Sequence, residues 1–156
     1  MKKKDINNIT TLRVNGRISL TELSRNTGLP VSTIHERLKQ HVQTGLLHPT
    51  TLITFSKLGF YTRAYILLGV HTREKEKLLS YLSQEEHVNS LFCINNGWTA
   101  LMECVFRDMY TLEQFIENLE TMFTVKQKQV CYVLNELKRE AFFSDKAMAD
   151  KLIPKN

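Results

Sequence analysis

The sequence lacks the segments and motifs that mark membrane proteins and the common nucleotide-binding and hydrolytic enzymes. No apolar run approaches the roughly 20 residues that a membrane span requires. There is no P-loop, no Rossmann glycine pattern and no nucleophile elbow. The Met-Lys-Lys-Lys start resembles the basic end of a signal peptide, but no apolar segment follows it. We therefore expect a cytoplasmic protein with no membrane partner.

Cysteine and histidine are too few and too scattered to indicate a metal site. Cys93, Cys104 and Cys131 show no C-x-x-C spacing, and the five histidines share no ligand spacing with them. Each cysteine falls in a strand-like run, so we predict buried, reduced thiols that pack as small apolar side chains. The sequence predicts no metal ion and no cofactor.

Acidic residues are scarce in the first 62 residues. That part holds nine Lys or Arg against three Asp or Glu, a net charge of +6, whereas residues 63–156 hold twelve against thirteen, a net charge of −1. The whole basic excess of the chain, +5, therefore lies in its first part. Such an asymmetry indicates a polyanionic partner such as nucleic acid.

Residues 16–47 predict two helices joined by a tight turn. Ser19 and Glu22 form the S-x-x-E pattern of a capping box, and Gly28 is placed to end the first helix. Pro30 suits the first turn of the next helix. Two helices joined by about four residues are typical of a DNA-binding helix-turn-helix, although the pattern alone also fits any corner between two helices.

The neighbouring segments extend this module. In the second helix, Ile34, Leu38 and Val42 recur every four residues, which predicts one buried stripe. Residues 5–14 predict a preceding helix whose apolar face closes the small core. Residues 46–55 suggest extended chain that would form the wing, or a strand, of a winged helix.

From residue 63 onward the pattern predicts the order β-α-β-β-α-β. Thr111 and Gln114 form the T-x-x-Q capping box of the second helix in this part. The order folds as a four-stranded antiparallel sheet with both helices on one face. Tyr65, Leu67 and other apolar residues then face away from the helices, so we expect dimerisation through the sheet. A monomer whose tail, residues 142–153, covers the sheet is the alternative. The predicted strands span 63–70, 88–95, 98–106 and 126–137, and the helices 72–82 and 111–123.

The chain resembles the Lrp/AsnC family of bacterial and archaeal transcription regulators over about residues 5–140. The matching stretches are NGRISLTELSRNTGLPVSTIHERL at 15–38, KLGF at 57–60, RAYILLGV at 63–70, TALMECVFRD at 99–108 and VLNELKRE at 133–140. The resemblance implies an α+β protein in four parts. These are a winged helix-turn-helix at 1–50, a wing and hinge at 51–62, a ferredoxin-like dimerisation and effector domain at 63–140, and a tail at 141–156.

In a helix-turn-helix the N-terminal part of the second helix enters the major groove. Arg17, Arg25 and the cluster of residues 2–4 suit phosphate contacts, which position the protein without specifying sequence. A solvated surface is the alternative for each charge, and Glu36 could instead pair with Arg37 or Lys39. The outward side chains predicted to contact DNA on the second helix are Ser32, Thr33, His35, Glu36, Arg37 and Lys39.

Two features depart from the family pattern. His41 stands where the family usually has a core-facing Leu, and Val42 could compensate for it. The turn at which the resemblance implies an effector site lacks the acidic residues that would meet an amino-acid ammonium. Trp98 is large enough to fill such a pocket or to anchor an interface. The predicted effector residues are Asn95, Asn96, Gly97, Trp98, Thr99 and Ala100.

The sequence thus predicts a non-enzymatic regulator that binds pseudo-palindromic duplex DNA as a homodimer, or as a tetramer to octamer. A small molecule such as an amino acid is the expected effector. One alternative is an architectural protein that compacts DNA. Another is an enzyme resembling tetrapyrrole decarboxylases of the same two-domain layout. An enzyme needs a polar constellation in a cleft, whereas Arg63, His71, Arg73 and His87 are expected at loop ends.

Overall fold

The computed structural model describes residues 3–152, apart from the side chains of Lys3 and Asp150. Lys2 and Ile153, which two of the predicted segments include, lie outside this range. The chain forms two compact units: Met1–Leu52 together with Leu137–Asn156 make unit 1, and Ile53–Glu136 make unit 2. No helix of the described residues is both long and apolar enough to span a membrane. The helices are α1 (Lys3–Val14), α2 (Leu20–Thr27), α3 (Val31–Gln43), α4 (Lys75–Leu82), α5 (Met109–Met122) and α6 (Lys146–Leu152), and the strands are β1 (Thr62–Val70), β2 (Val88–Cys93), β3 (Ala100–Phe106) and β4 (Val125–Tyr132).

Unit 1 contains the predicted helix-turn-helix. Ser19 is the N-cap of α2, and its hydroxyl oxygen accepts from the Glu22 N–H at 3.1 Å, as the capping pattern predicts. Gly28 ends the helix with φ of 63°, a left-handed conformation that a glycine adopts without strain. Pro30 lies at the N-cap of α3 rather than inside its first turn.

The buried stripe of α3 differs from the prediction. Ile34 is fully buried, but Val42 is 45% exposed, so its predicted place in the stripe is wrong. Eight residues of a 3.6-residue helix advance about 80° beyond whole turns, whereas seven fall only about 20° short of them. His41 therefore lies nearer to the stripe. It is half-buried, and its buried Nε2 has no hydrogen-bond partner within the described part of the chain.

The strand predicted within residues 46–55 does not form. Residues 47–54 adopt neither helix nor strand, and a 3-10 turn, Phe55–Leu58, follows. Extended chain becomes a strand only where a neighbouring strand pairs with it. Among the described residues every strand pairing involves β1 to β4 alone.

The C-terminal segment packs into unit 1. The Arg13 Nη2 donates to Glu140 Oε2 at 3.0 Å, and its Nε donates to the Phe142 carbonyl at 3.1 Å. Ala149 of α6 is fully buried, and α6 lies against α1. The segment belongs to the same compact unit as the helix-turn-helix.

Unit 2 is the predicted four-stranded antiparallel sheet, in the order β2-β3-β1-β4. Alternate residues of β1 and β3 face the helices and build the core with one side of α4 and α5. Two details differ from the prediction. The first turn after β1 is 3-10, at Thr72–Glu74. Asp108, not Thr111, caps α5, since its Oδ1 accepts from the Thr111 N–H at 2.8 Å. A carboxylate placed three residues earlier reaches that N–H, so the helix begins sooner than the T-x-x-Q pattern indicates.

The side of the sheet opposite the helices is called the open face here. Its apolar members are half-buried or exposed in the single chain. Two of the predicted buried thiols are exposed, because Cys131 lies on the open face and Cys93 ends the edge strand β2. Only Cys104 is buried, and burial raises the pKa of its thiol to about 12. Strand alternation places on the open face Arg63, Tyr65, Leu67, Phe92, Leu101, Glu103, Val105, Gln127, Gln129 and Cys131.

Candidate functional site

The helix-turn-helix is held together by a small apolar contact and a closed turn. Leu23 of α2 and Ile34 of α3 are both fully buried. The Ser24 hydroxyl donates to the Leu29 carbonyl at 2.6 Å across the turn, while the Gly28 N–H donates to the Ser24 carbonyl at 2.8 Å. These bonds fix the turn between the helices. One side of α3 is therefore committed to the core, and the opposite side faces outward.

Most of the predicted reading residues lie on that outward side. Ser32, His35, Glu36 and Lys39 are exposed, and Thr33 is half-buried. His35 Nδ1 lies 3.4 Å from Glu36 Oε1, an exposed contact that becomes an ion pair when the imidazole is protonated. Glu36 thus contacts His35, not Arg37 or Lys39. The outward side of α3 offers hydroxyl, imidazole, carboxylate and ammonium groups in two turns, the donor and acceptor types that read base edges.

Arg37 has a different environment from the other predicted reading residues. Its Nη1 lies 2.7 Å from Asp5 Oδ1 of α1, and the two side chains are only 25% and 11% exposed. The ion pair joins α1 to α3. The sequence contained a signal for it, since Asp5 shares a helical face with Ile9 and Leu12, and an acid on an apolar face needs a buried partner.

The predicted phosphate contacts are exposed around unit 1. Arg17, in the turn before α2, and Arg25, in the last turn of α2, both face solvent, as does Lys4 of α1. The Arg17 N–H donates to Asn15 Oδ1 at 3.0 Å, which fixes the backbone next to that guanidinium. The side chains of Lys2 and Lys3 lie outside the described structure. Long basic side chains in such positions suit phosphate oxygens.

The predicted effector turn is divided between solvent and the sheet. Asn95, Asn96 and Gly97 are exposed, and Trp98 is half-buried. Thr99 belongs to the sheet, because its N–H donates to the Leu68 carbonyl at 2.8 Å and its hydroxyl oxygen accepts from the Val70 N–H at 3.1 Å. Ala100 is fully buried as the first residue of β3.

The shape of this turn is set by left-handed backbone and by one side chain from β4. Asn96 has φ of 62° and Gly97 has φ of 86°. Gln127 Nε2 donates to the Gly97 carbonyl at 2.9 Å. A Cβ at Gly69 would come within 2.7 Å of the Gln127 side chain, so the glycine leaves room for it. The turn is therefore defined by Gln127 and Gly69, which the sequence did not single out.

A charged network on the open face was also missed. Glu103, in the central strand β3, accepts from Asn89 Nδ2 at 2.8 Å and from Ser90 Oγ at 3.0 Å. It also forms an ion pair with Arg63, and Arg63 forms a second ion pair with Glu136. Burial alone would raise the pKa of Glu103, but the hydrogen bonds from Asn89 and Ser90 and the nearby guanidinium outweigh it and lower the pKa. Only Arg63 could have suggested it, because a charged side chain that is largely buried in a strand of apolar residues needs an acidic partner nearby.

No group of three or more His, Cys, Asp or Glu side chains within residues 3–152 is arranged to hold a metal ion. The site geometry therefore consists of a basic helix-turn-helix unit and a separate αβ unit with a shaped turn. Both features have clear counterparts among known proteins.

Residues 3–46 match the family model for a winged helix-turn-helix DNA-binding domain. The HTH-type transcriptional regulator FL11 of Pyrococcus abyssi is 25% identical over 127 residues, which cover 81% of this chain and 84% of that protein. Among solved structures, a transcriptional regulator of Neisseria meningitidis in complex with L-Met is 24% identical, with a TM-score of 0.81 over 89% of this chain and 93% of that one. AsnC of Escherichia coli is 18% identical, with a TM-score of 0.79 over 89% and 95% of the two chains.

The matched domain and the relatives define a class: the chain contains a winged helix-turn-helix DNA-binding domain and is similar to transcriptional regulators of the helix-turn-helix type. Within that class it has the two-part fold of the Lrp/AsnC regulators, shared with AsnC and with LrpC of Bacillus subtilis, which gives a TM-score of 0.78. The resemblance and the α+β fold class predicted from the sequence are confirmed.

Proposed function

We propose that this regulator binds pseudo-palindromic duplex DNA with sequence specificity, through the outward side of α3. The observation that carries the proposal is the exposure of Ser32, His35, Glu36 and Lys39 on a helix whose other side is fixed by the buried Ile34. The N-terminal half of such a helix enters the major groove, where donor and acceptor patterns distinguish all four base pairs. Thr33 lies at the edge of this surface.

Arg17, Arg25 and Lys4 are proposed to contact phosphates on either side of the groove. Their charges are exposed, and the part of the chain that bears them is strongly basic. Arg37 can contact a base or a phosphate only when its side chain leaves Asp5. Phosphate contacts release counterions, so binding should weaken steeply as salt rises.

The proposal includes dimerisation through the open face of unit 2. Tyr65, Leu67 and Leu101 lie side by side there in paired strands and are only half-buried. Covering such a face with a second copy removes apolar area from water, at about 25 cal/mol per Å². A two-fold dimer presents two recognition helices to half-sites about one DNA turn apart, ~34 Å. Assembly to a tetramer or octamer would let one particle bind several such sites.

We further propose that a small molecule such as an amino acid modulates binding at residues 95–100. Support comes from the fixed backbone of this turn and from the Neisseria meningitidis regulator, which is similar in fold and was crystallised with L-Met. Because the proposed ligand is DNA, we propose a cytoplasmic protein, and we assign it no catalytic step.

The test is selection of bound sequences from random duplex DNA by the full-length protein, followed by titration of the selected duplex at two salt concentrations. We expect a defined palindrome and an affinity that falls by orders of magnitude between 50 and 200 mM salt, roughly 10³-fold or more for six or more phosphate contacts. Lys39→Ala should weaken binding, while Arg73→Ala, which removes an exposed basic charge of unit 2, should not.

Three results would contradict the proposal. Absence of duplex binding at low salt would remove DNA as the ligand. Enrichment of no sequence, with a footprint lacking discrete sites, would instead indicate an architectural role. A tetrapyrrole that co-purifies with the protein and is converted by it would establish the enzymatic alternative.

A further inference from the structure

Residues 133–139, called the connecting segment here, lead from β4 to residues 140–152, called the C-terminal arm. The connecting segment adopts neither helix nor strand, and no backbone hydrogen bond among the described residues involves residues 134–138. Leu134 is 95% exposed and Leu137 is 89% exposed. A segment that follows an outer strand of the sheet and has an unpaired backbone and uncovered leucines is suited to pairing with another chain.

The backbone is strained at the start of the C-terminal arm. Glu140 has φ of 47° and Phe143 has φ of 64°, both in the left-handed region. That conformation costs energy for a residue with a side chain, because the Cβ comes too close to the following carbonyl oxygen. The chain therefore turns toward α1 through a bend that these two residues disfavour. A different path for the arm would remove the cost.

The C-terminal arm is held on α1 by contacts that involve no other part of the chain. Arg13 of α1 donates to the Glu140 carboxylate at 3.0 Å and to the Phe142 carbonyl at 3.1 Å. Ala149 of α6 is fully buried, and α6 lies against α1. The arm of a second copy would make the same contacts with α1.

We propose that two copies of this chain exchange their C-terminal arms, so that the arm of each copy docks on α1 of the other. Exchange preserves every contact between the arm and α1, and it frees Glu140 and Phe143 from the left-handed conformation. The partner is a second copy, because only a copy carries both the arm and the α1 surface that fits it. Reciprocal exchange closes at two copies and therefore gives a dimer.

The connecting segments supply the further contact that favours exchange. As the arms cross, the two connecting segments run past each other in opposite directions about the two-fold axis. Their backbones then pair through groups that have no partner among the described residues of the single chain, and Leu134 and Leu137 of the two copies cover each other. These gains offset the freedom lost on association. The inference rests on the proposed function in one respect, because the open-face contact brings the two copies together.

The experiment links positions 13 and 140 across different chains. One full-length chain carries Arg13→Cys and another carries Glu140→Cys. Both also carry Cys93→Ser and Cys131→Ser, while the buried Cys104 is kept. The two chains are unfolded, refolded as a mixture and treated with a short bismaleimide. A single chain with both new cysteines is the reference for the contact itself.

Exchange should give a covalent pair of different chains joined through positions 13 and 140. In the matched control Arg25→Cys, at an exposed position of α2, replaces Arg13→Cys. The pair with Arg13→Cys should form in about tenfold greater yield or more, because contact gives the two thiols a high effective concentration. Adding Leu67→Asp to both chains, which places a charge in the open face, should abolish the pair.

Two glycine variants test the bend. Phe143→Gly removes the left-handed strain from the form without exchange, so it should lower the yield of the covalent pair about fivefold or more. Phe142→Gly is the matched control. The two rings contact each other with centroids 4.8 Å apart, so either variant removes that contact, but only Phe143→Gly relieves the strained residue. Phe142→Gly should leave the yield unchanged.

The parent sequence offers a second measurement that needs no variant to fold. Isotope-labelled and unlabelled copies are refolded as a mixture, and isotope-filtered NMR detects contacts between different copies. Exchange should give such contacts between the buried methyl group of Ala149 in one copy and α1 of the other.

Several results would overturn the exchange. They are links that form only within the chain carrying both new cysteines, equal yields with Arg13→Cys and Arg25→Cys, equal yields from the two glycine variants, and Ala149 contacts confined to one copy. A dimer in sedimentation without the link between chains would overturn the exchange and leave the proposed dimer intact. A monomer at every concentration would overturn both. A link that persists with Leu67→Asp would support the exchange and contradict the open face as the dimer contact.

Discussion

Among single residues, Glu103 should have the clearest effect on how the stability of the fold depends on pH. The pKa of Glu103 is below the ordinary value of 4.5 in the folded chain. Burial disfavours the ionised carboxylate, but the hydrogen bonds from Asn89, Ser90 and Arg63 stabilise it by more. A depressed folded pKa stabilises the fold fully above 4.5, and this stabilisation is lost as the pH falls through the lower folded value. Glu103→Gln should therefore reduce the free energy of unfolding by about 1–3 kcal/mol at pH 7.

The difference between Glu103→Gln and the parent should shrink as the pH approaches 3. Denaturant unfolding of the full-length protein from pH 7 to pH 3, followed by signals from unit 2, measures it. Glu120→Gln is the matched control, since Glu120 pairs with Lys128 and both side chains are 40% exposed. Such exposed pairs contribute about 0–1 kcal/mol. A Glu103→Gln deficit that stays constant across this range would mean that ionisation is not its cause.

At the scale of helices, the Asp5–Arg37 pair should hold α1 against α3. Arg37→Ala leaves the carboxylate of Asp5 largely buried without its partner, so we expect a loss of about 1–3 kcal/mol in the stability of unit 1. Arg25→Ala, which removes an exposed Arg of α2, should change it by less than about 0.5 kcal/mol. A double-mutant cycle with Asp5→Ala should give a coupling energy of about 0.5–3 kcal/mol.

The same variant also tests Arg37 as a DNA contact. If Arg37→Ala weakens specific binding by roughly 1–3 kcal/mol while melting is unchanged, the side chain leaves Asp5 and reads DNA as the sequence suggests. If stability falls and the affinity of the remaining folded protein is unchanged, Arg37 is a structural residue. Unchanged stability and unchanged affinity would contradict both roles.

Helices and strands were predictable where a local rule decides them. Ser19 marks the start of α2 and Gly28 marks its end, as their capping preferences predict. The order β-α-β-β-α-β follows from the spacing of the apolar residues. Contacts between distant residues were not predictable in this way. Asp108 caps α5 in place of Thr111, a choice between two acceptors three residues apart that pattern alone does not rank. The pairing of Arg37 with Asp5 joins residues that are 32 positions apart in the sequence.

The candidate site also has parts that the sequence predicted and parts that it did not. The exposed side of α3 follows from helical period and one buried residue, Ile34, so most of its members could be listed from sequence. The effector role of the turn at residues 95–100 was implied only by the family resemblance, and the burial of Thr99 and Ala100 is set by pairing with β1 and was not visible locally. Glu86 and Arg107 of unit 2 line one pocket, although they are far apart along the chain and no local pattern brings them together.

For the whole molecule, the two exposed cysteines test how copies of the chain associate. Cys131 pairs with Tyr65 across β4 and β1 and therefore lies on the open face, whereas Cys93 pairs with the core residue Ala100 at the edge of the sheet. Dimerisation through the open face should cover Cys131. Iodoacetamide should then label Cys131 more slowly than Cys93 at protein concentrations that favour the dimer, and comparably after dilution to the monomer.

The third thiol and one pair of variants complete this experiment. Cys104 is buried and its pKa is about 12, so it should stay unlabelled in every folded state. Leu67→Asp places a charge in the open face and should give a monomer with fast labelling of Cys131. Tyr110→Asp, at a 71% exposed position of α5, should leave the dimer intact. Equal labelling of Cys93 and Cys131 in a dimer verified by sedimentation would place the interface elsewhere, and the pseudo-palindrome would then need another two-fold axis.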